Sequence, residues 1–265
     1  TAATVRLLVE AGLDPTGLVG GTVAQWDGNL RMGGDLYVVE ADEYDRSFHH
    51  LAPDVAVVTN LEADHLEIYG SFEGVREGFH TFLAGLRAGG RAIVCADDPG
   101  ASALLPRLGD RGYTYGTSAG SQLRADEIRT GPDGTRFRVF EEGEDRGAFH
   151  LPQPGRHTLL NALAAAAVAR WFGAEWTPIR RGWAAHRGVE RRFDRLGERA
   201  GIEIIDDYAH HPTEIATTLA ALRDAFPARR VVAVFQPHLY TRTRDFAAEF
   251  GRALAAADVV WVTEI

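Results

Sequence analysis

The chain has 265 residues, enough for one large domain or two ordinary ones, and 45% of them are hydrophobic. Its 28 basic side chains face 37 acidic ones, and the net charge of −9 argues against nucleic acid or an anionic membrane as the main partner. The single cysteine, Cys95, excludes an intrachain disulfide. No signal peptide is visible and no apolar run reaches the ~18 residues that span a bilayer, so a cytoplasmic location is expected.

The first hundred residues alternate between helical and strand-like patterns. Val5, Leu8 and Val9 have helical spacing and are followed by Gly12, which predicts a helix at the beginning of the chain. A further helix is predicted near 72–88. Apolar strands are predicted at 35–40, 54–59 and 91–96. This alternation predicts an α/β fold with a mostly parallel, doubly wound sheet.

The rest of the chain divides into a meander, two helices and a second α/β stretch. Residues 111–151 alternate apolar and polar side chains around the turns GPDG and EEGED, which predicts a small antiparallel meander. Two helices are predicted within 157–185, followed by a hinge at GVERRFDRLGERAG. Strands are then predicted at 202–206, 230–236 and 258–264, and helices at 212–225 and 243–256. The last stretch predicts a small Rossmann-like unit. The chain opens within a helix and closes on a strand, so both ends are expected to be incomplete.

Four of the predicted strands end in reactive side chains. In open α/β sheets, ligands bind beyond the carboxyl ends of the strands. Four such ends therefore favour a functional site over ordinary turn chemistry. The four groups are Glu40, Asp42 and Glu43; Asn60, Asp64 and His65; the stretch DDYAHHPTEI; and the stretch QPHLYTRTRDF.

Glu40 and His65 follow neighbouring predicted strands. A carboxylate and an imidazole, together with phosphate oxygens and water, can hold Mg²⁺ or Mn²⁺. The alternative is a surface Glu–His pair without a metal. Zinc is not favoured, because the sequence has no His-x-x-x-His pattern and no cysteine pair.

Other polar residues suit the binding of a nucleotide or a carboxylate, although each could also be an ordinary surface residue. Adjacent histidines point in different directions, so at most one of His210 and His211 is expected to reach a ligand, and the other to serve as a hydrogen bonder or helix cap. Arg242 could clamp a carboxylate or phosphate, and Arg192 at the hinge could reach phosphates after closure. Asn161, one turn into an alanine-rich helix, offers the donor and acceptor that an adenine edge needs.

Six stretches of the sequence together resemble the Mur ligase family. They are EADEYDRSF, VVTNLEADHLEIYG, PGRHTLLNALAA, GVERRFDRLGE, DDYAHHPTEI and FQPHLYTRTRDF, and they run in family order over nearly the whole chain. The branch that is most similar joins L-alanine to UDP-N-acetylmuramate. The resemblance implies a central ATP-binding domain at 1–188 and a C-terminal Rossmann-like ligase domain at 189–265. The family's sugar-nucleotide domain and its phosphate-binding loop, G-x-x-x-x-G-K-S/T, are not found in these residues.

The resemblance also implies roles on the nucleotide side of the reaction. Glu40 and His65 would be magnesium ligands, and Asn161 would face adenine. Arg192 would approach the ATP phosphates, and Asp207 would approach the nucleotide from the C-terminal domain. The implied cofactors are therefore ATP and Mg²⁺ or Mn²⁺.

On the substrate side, the resemblance places His210, His238 and Arg242 where the muramoyl carboxylate and alanine meet. The catalytic residues it implies are His65, Arg192 and His210. The implied reaction is ATP-driven amide formation: the carboxylate of UDP-N-acetylmuramate attacks the γ-phosphorus, and the amine of L-alanine then displaces phosphate from the acyl phosphate. Positioning and electrostatics would dominate catalysis of this kind.

Two alternatives remain open from the sequence. One is the recycling ligase that adds a tripeptide to the same sugar nucleotide, and the other is a non-catalytic nucleotide-binding module. The chain alone is expected to be inactive because it lacks the loop that cradles the phosphates. It also departs from family patterns at three positions: Thr158 replaces an asparagine, Leu239 replaces an arginine of some relatives, and His80 lies near the modified lysine of sister ligases.

Overall fold

The computed structural model describes residues 1–265 and contains nine α-helices and thirteen strands. The helices are α1 (Ala2–Glu10), α2 (Leu66–Tyr69), α3 (Phe72–Ala84), α4 (Pro99–Ser102), α5 (Arg156–Trp171), α6 (Trp176–Ala184), α7 (Pro212–Ala225), α8 (Tyr240–Asp245) and α9 (Ala247–Leu254). The first six strands are β1 (Pro15–Val23), β2 (Gly28–Arg31), β3 (Gly34–Val39), β4 (Val55–Val58), β5 (Arg91–Cys95) and β6 (Gly112–Gly116). The others are β7 (Leu123–Gly131), β8 (Gly134–Glu141), β9 (Glu144–Leu151), β10 (Asp194–Arg199), β11 (Ile202–Asp206), β12 (Val232–Phe235) and β13 (Val259–Val262).

The main sheet has six strands in the order β4-β5-β6-β7-β8-β9. Strands β4 to β7 are parallel, with Val57 opposite Ile93 and Ile93 opposite Tyr113. Strands β7, β8 and β9 are antiparallel. The strand predictions at 54–59 and 91–96 and the meander are confirmed. The stretch GYTYG, which the sequence pattern assigned to the meander, is instead the third parallel strand, so meander and parallel part form one continuous sheet.

A separate sheet holds three strands in the order β2-β1-β3. Strand β3 pairs in parallel with β1, where Gly17 lies opposite Val38, and β4 pairs with β5. The prediction that the strands preceding Glu40 and His65 are neighbours is therefore wrong, because β1 supplies the ladder for β3. Strand β1 was not predicted, since its glycine-rich sequence PTGLVGGTV lacks a clear strand pattern.

The alanine-rich helix α5 lies at the centre of the larger core. Its residues 162–169 are all buried, and the helix packs against α1 and against β5 and β6. Alanine side chains let these elements approach closely, and the core that forms around them comprises 37 buried residues. None of the helices combines the length and the apolar character required to cross a membrane.

The C-terminal unit, β10 to β13 with α7 to α9, has its own small core of seven buried residues. Strand β11 pairs with β10 in an antiparallel hairpin, where Asp194 lies opposite Asp206, whereas β12 and β13 form a parallel pair. The strand predicted at 202–206 is present, but the prediction that it begins the parallel unit is wrong, because its partner is the antiparallel strand β10. The helix predicted at 243–256 is broken at Phe246, whose φ of −111° and ψ of 20° are not helical. The α/β class is confirmed.

Contacts at α5 and at the meander help to dock the C-terminal unit on the rest of the chain. Gly155, just before α5, comes so close to α7 that a Cβ at this position would lie 2.9 Å from Cβ of Ala221. Arg195 Nη1 donates to the carbonyl oxygen of Pro132 at 2.8 Å, which joins the β10–β11 hairpin to the meander.

Two glycines of the meander predict very different effects of substitution by alanine. At Gly134, φ is +113° and a Cβ would overlap the backbone oxygen of Leu151, whereas at Gly143, φ is +84° and a Cβ would meet nothing within 4 Å. Gly134→Ala should therefore lower the free energy of unfolding by about 3 kcal/mol or more, and Gly143→Ala by about 1 kcal/mol. Urea denaturation followed by tryptophan fluorescence measures both; equal losses would contradict the overlap argument.

Candidate active site

Glu40 directly follows β3 and faces β1. Its Oε2 atom accepts a hydrogen bond of 2.8 Å from the backbone N–H of Gly20. A Cβ at Gly20 would lie 2.6 Å from the same oxygen, so the absence of a side chain there admits the carboxylate. Glu40 is exposed, and its other oxygen makes no hydrogen bond within the protein, so that oxygen can accept a ligand.

The loop after β4 carries His65 and is fixed at its beginning. Leu61 is buried, and its backbone N–H donates to Asp98 Oδ1 at 3.1 Å. Asp64 Oδ1 accepts the backbone N–H of His65 at 2.9 Å. His65 has a φ of +53°, a left-handed conformation that costs a non-glycine residue about 1–3 kcal/mol unless its surroundings enforce it. The backbone of this loop therefore holds the imidazole in a defined place.

The imidazole of His65 is surrounded by carboxylates that do not hydrogen-bond it. The side chain is 18% exposed. Its ring nitrogens lie 3.8 Å from Glu43, 3.9 Å from Asp64 and 3.6 Å from Glu67. Tyr44 contacts the ring edge-on at a centroid distance of 5.2 Å. The ring nitrogens are thus available for an additional partner.

No group of three or more His, Cys, Asp or Glu side chains among the 265 residues forms a complete metal cage. Glu40 and His65 also follow strands of different sheets, and no hydrogen bond or ion pair joins them. Magnesium in phosphate-binding sites characteristically uses one or two protein ligands, with phosphate oxygens and water completing the shell. The free carboxylate oxygen of Glu40 and the imidazole of His65, which makes no hydrogen bond, fit that pattern and do not fit a protein-only cage.

Asn161 lies on the second turn of α5 and is exposed, with no hydrogen bond to the protein. His157, one turn earlier, was not singled out from the sequence. The Thr158 hydroxyl donates to the carbonyl oxygen of Pro154 at 3.2 Å and lies 3.2 Å from His157 Nε2. Because that hydroxyl has only one hydrogen, the network assigns the proton of His157 to Nε2. Nδ1 is then a buried acceptor without a partner.

The hinge brings Asp207 and Arg192 towards His157. Burial lowers the pKa of His157, the Asp207 carboxylate opposes this shift, and the Arg192 guanidinium adds to it. Asp207 itself accepts the backbone N–H groups of Phe193 at 2.8 Å and Ala209 at 3.0 Å. Its carboxylate is therefore fixed in the hinge, beside the first turn of α5.

The two adjacent histidines of the C-terminal unit have different surroundings. His211 is the N-cap of α7: its Nδ1 accepts the backbone N–H of Thr213 at 3.4 Å, and its ring contacts Phe246. His210 Nδ1 lies 3.0 Å from the carbonyl oxygen of Tyr208, which can only accept, so Nδ1 donates and Nε2 is left as an acceptor. The rings of His210 and His238 have centroids 6.4 Å apart. His211 is thus the structural histidine and His210 the one available to a ligand.

Arg242 lies on α8 and is half-buried, and no carboxylate of the chain pairs with it. The neighbouring Arg244, by contrast, binds Asp245 at 2.7 Å. A half-buried guanidinium without a carboxylate partner can bind an anion. Leu239, the N-cap residue of α8, is 45% exposed and adds no second cation beside it.

Glu214 connects the hinge arginine to the histidine turn, a role that the sequence did not predict. Its Oε2 accepts the backbone N–H groups of His210 at 2.8 Å and His211 at 3.1 Å, and its Oε1 lies 3.5 Å from Arg192 Nη1. Although burial opposes the shift, these N–H groups and the cations nearby hold the pKa of Glu214 below its usual range. The available signal was its place at the third position of α7, where a glutamate completes a capping box.

Two domain models of one protein family match most of the chain. The Mur ligase middle domain matches residues 23–169, and the domain described as Mur ligase, glutamate ligase domain, matches residues 191–264. The chain belongs to the Mur ligase family. The second match begins at Arg191, within the hinge.

Named relatives of this Mur ligase chain share one description. UDP-N-acetylmuramate–L-alanine ligase of Anaeromyxobacter sp. (strain Fw109-5) is 45% identical over all of this chain, and that of Salinibacter ruber is 43% identical over 98% of it. The crystal structure of UDP-N-acetylmuramate-alanine ligase from Thermotoga maritima superposes with a TM-score of 0.84 at 30% identity, covering 100% of this chain and 58% of that one. The chain spans 58% and 55% of the length of the first two relatives.

A murein peptide ligase from Psychrobacter arcticus 273-4 also superposes, with a TM-score of 0.68 at 22% identity, covering 100% of this chain and 66% of that one. At this identity the likeness shows the shared fold. The Mur ligase fold of the chain is thus supported by structures as well as by sequence.

The lowered pKa of His157 predicts a pH dependence of stability. Below the ordinary histidine value of 6.5, the unfolded chain takes up a proton that the folded chain resists, so stability should rise with pH up to that value and fall on acidification below it. One proton contributes at most about 1.4 kcal/mol per pH unit. His157→Gln should flatten the dependence between pH 5 and 6.5, measured as unfolding free energy in urea. An unchanged slope would mean that His157 titrates alike in both states.

Proposed function

We propose that the whole protein joins L-alanine to the carboxylate of UDP-N-acetylmuramate at the expense of ATP, in the cytoplasmic synthesis of peptidoglycan precursors. The observation that carries this proposal is the 45% identity over the entire chain to a UDP-N-acetylmuramate–L-alanine ligase. The tripeptide-adding alternative is less favoured, because two solved ligases of that kind are 22% and 26% identical, whereas the Thermotoga maritima alanine ligase is 30% identical.

We also propose that the chain has two domains, 1–188 and 189–265, which bind different substrates of the reaction. The separate hydrophobic cores of the chain support this division. The first domain would hold ATP, and the second would hold the amino acid. The reaction would then take place where the loop after β4 meets the first turn of α7.

On the nucleotide side, Asn161 would pair with the adenine edge, because its amide is exposed and free of protein hydrogen bonds. Glu40 and His65 would hold Mg²⁺ together with phosphate oxygens, and the metal when bound would offset phosphate charge. Arg192 would face the phosphates and Asp207 the nucleotide. The positive charges of Arg192 and the bound metal would lower the barrier as the carboxylate oxygen attacks the γ-phosphorus and ADP leaves.

On the amine side, the alanine ammonium must lose a proton before its nitrogen can attack the acyl carbon and release phosphate. His210 Nε2 is a suitable acceptor for that proton, since Nδ1 is already committed to the carbonyl oxygen of Tyr208. Arg242 would bind the alanine carboxylate with its unpaired guanidinium, and His238 would line the same space.

The direct test supplies the purified whole protein with ATP, UDP-N-acetylmuramate and either L-alanine or the tripeptide. Phosphate release and the mass of the nucleotide product are measured together. The proposal requires an alanine adduct and alanine-dependent phosphate release. Product with the tripeptide alone would select the recycling reaction, and ATP binding without any product would select a binding module. Residues 1–265 alone should form no product, because they contain no G-x-x-x-x-G-K-S/T loop.

His65→Ala in the whole protein should depress turnover by about 10²-fold, the usual cost of one lost electrostatic group at a phosphoryl-transfer site. It should also raise the magnesium concentration required for half-maximal rate. His50→Ala is the matched control, because His50 is exposed and makes no hydrogen bond or ion pair. Wild-type turnover and an unchanged magnesium titration in His65→Ala would remove His65 from the site.

Arg242→Lys in the whole protein should raise the KM for alanine by roughly tenfold, because lysine keeps the charge and loses the bidentate fork. The KM for ATP should hardly move. Arg244→Lys is the matched control, since Arg244 already pairs with Asp245. If the KM for ATP rises and that for alanine does not, Arg242 belongs to the phosphate site.

A further inference from the structure

One side-chain hydrogen bond joins the two units beside the candidate site. Thr213 Oγ1 donates to Glu62 Oε2 at 2.8 Å, although the two residues are 151 positions apart in sequence. Glu62 comes three residues before His65, and Thr213 comes three residues after His210. The bond therefore links the loop that carries one candidate catalytic histidine to the turn that carries the other.

On the Glu62 side, the loop is fixed to the larger core. Its neighbour Leu61 is buried and donates its backbone N–H to Asp98, which in turn caps α4 by accepting the N–H of Ala101 at 2.7 Å. The carbonyl oxygen of Glu62 accepts the backbone N–H of Asp64 at 3.0 Å, so the segment turns tightly towards His65. A shift of Glu62 would therefore also move the backbone at His65.

On the Thr213 side, the hydroxyl lies on a rigid first helical turn. Pro212 is buried at the first position of α7, His211 caps the helix, and Glu214 closes the capping box. The Glu62 carboxylate also lies at the N-terminus of this 14-residue helix, where the helix dipole stabilises a negative charge. Hydrogen bond and dipole therefore favour the same arrangement.

We propose that Glu62 and Thr213 are positioning residues, which set the spacing between the His65 loop and the His210 turn and so align the acyl phosphate with the attacking amine. This inference rests on the proposed function. The contacts Gly155–Ala221 and Arg195–Pro132 attach the C-terminal unit elsewhere. Losing the Glu62–Thr213 bond should therefore leave the units attached and loosen only the spacing at the site.

The kinetic test compares substitutions in the whole protein. Thr213→Val should lower kcat for alanine ligation by about tenfold, because a small misplacement of reacting groups is costly, and the KM for ATP should stay within about twofold. Thr213→Ser keeps the hydroxyl and should restore the rate. Thr217→Val is the matched control, one turn further along α7, where the hydroxyl makes no side-chain hydrogen bond.

A mutant cycle isolates the contact. Glu62→Ala should lower kcat to the extent that Thr213→Val does, and the double variant should lose little more than either single one. The proposal is overturned if the losses of kcat in the two single variants multiply in the double variant. It is also overturned if Thr213→Ser is as slow as Thr213→Val, or if Thr213→Val keeps the wild-type kcat.

The spacing itself is measured without any chemistry. Spin labels on cysteines at the exposed positions Asp110 and Ala228 report the distance between the units, and the native Cys95 is buried from the reagent. The distance distribution should broaden in Thr213→Val and not in Thr213→Ser or Thr217→Val. If the wild-type protein forms no alanine adduct, the proposed function fails, and an unbroadened distribution in Thr213→Val would separately overturn the spacing role.

Discussion

The close packing of α5 is the constraint on which the rest of the structure depends. The buried alanines at 162–169 let the helix lie directly against the main sheet on one side and α1 on the other. The position of its first two turns is thereby fixed, and with it His157 and Asn161. Helix α7 then docks on Gly155 at the same end of α5, through Ala221. One helix thus sets both the proposed nucleotide side of the site and the attachment of the C-terminal unit.

The success of strand prediction follows from burial. Strand β5 lies inside the main sheet and β4 at its edge, and both read as continuous apolar runs that were predicted nearly to the residue. Strand β1 was missed, because glycines at three of its nine positions dilute the strand pattern. Strand β11 was found but given the wrong neighbours, since a stretch of five residues carries no information about its partner.

For the candidate site, the sequence predicted residues within local motifs but not the contacts between residues far apart in the chain. The candidate residues came from local motifs and from the family resemblance, and the structure brings His210 and His238 together. The choice between His210 and His211 needed the capping geometry of α7, which the sequence only hinted at. The Glu62–Thr213 bond could not be predicted, because it depends on how two separate cores dock.

The central claim is that the loops after β3 and β4, the first turns of α5 and the hinge form one ATP site. A crystal structure of the whole protein with a non-hydrolysable ATP analogue and Mg²⁺ tests it most directly. Adenine should lie against Asn161, the metal should be bound by Glu40 and His65, and Arg192 should contact the phosphates. A nucleotide bound elsewhere, or a metal held without either Glu40 or His65, would contradict it.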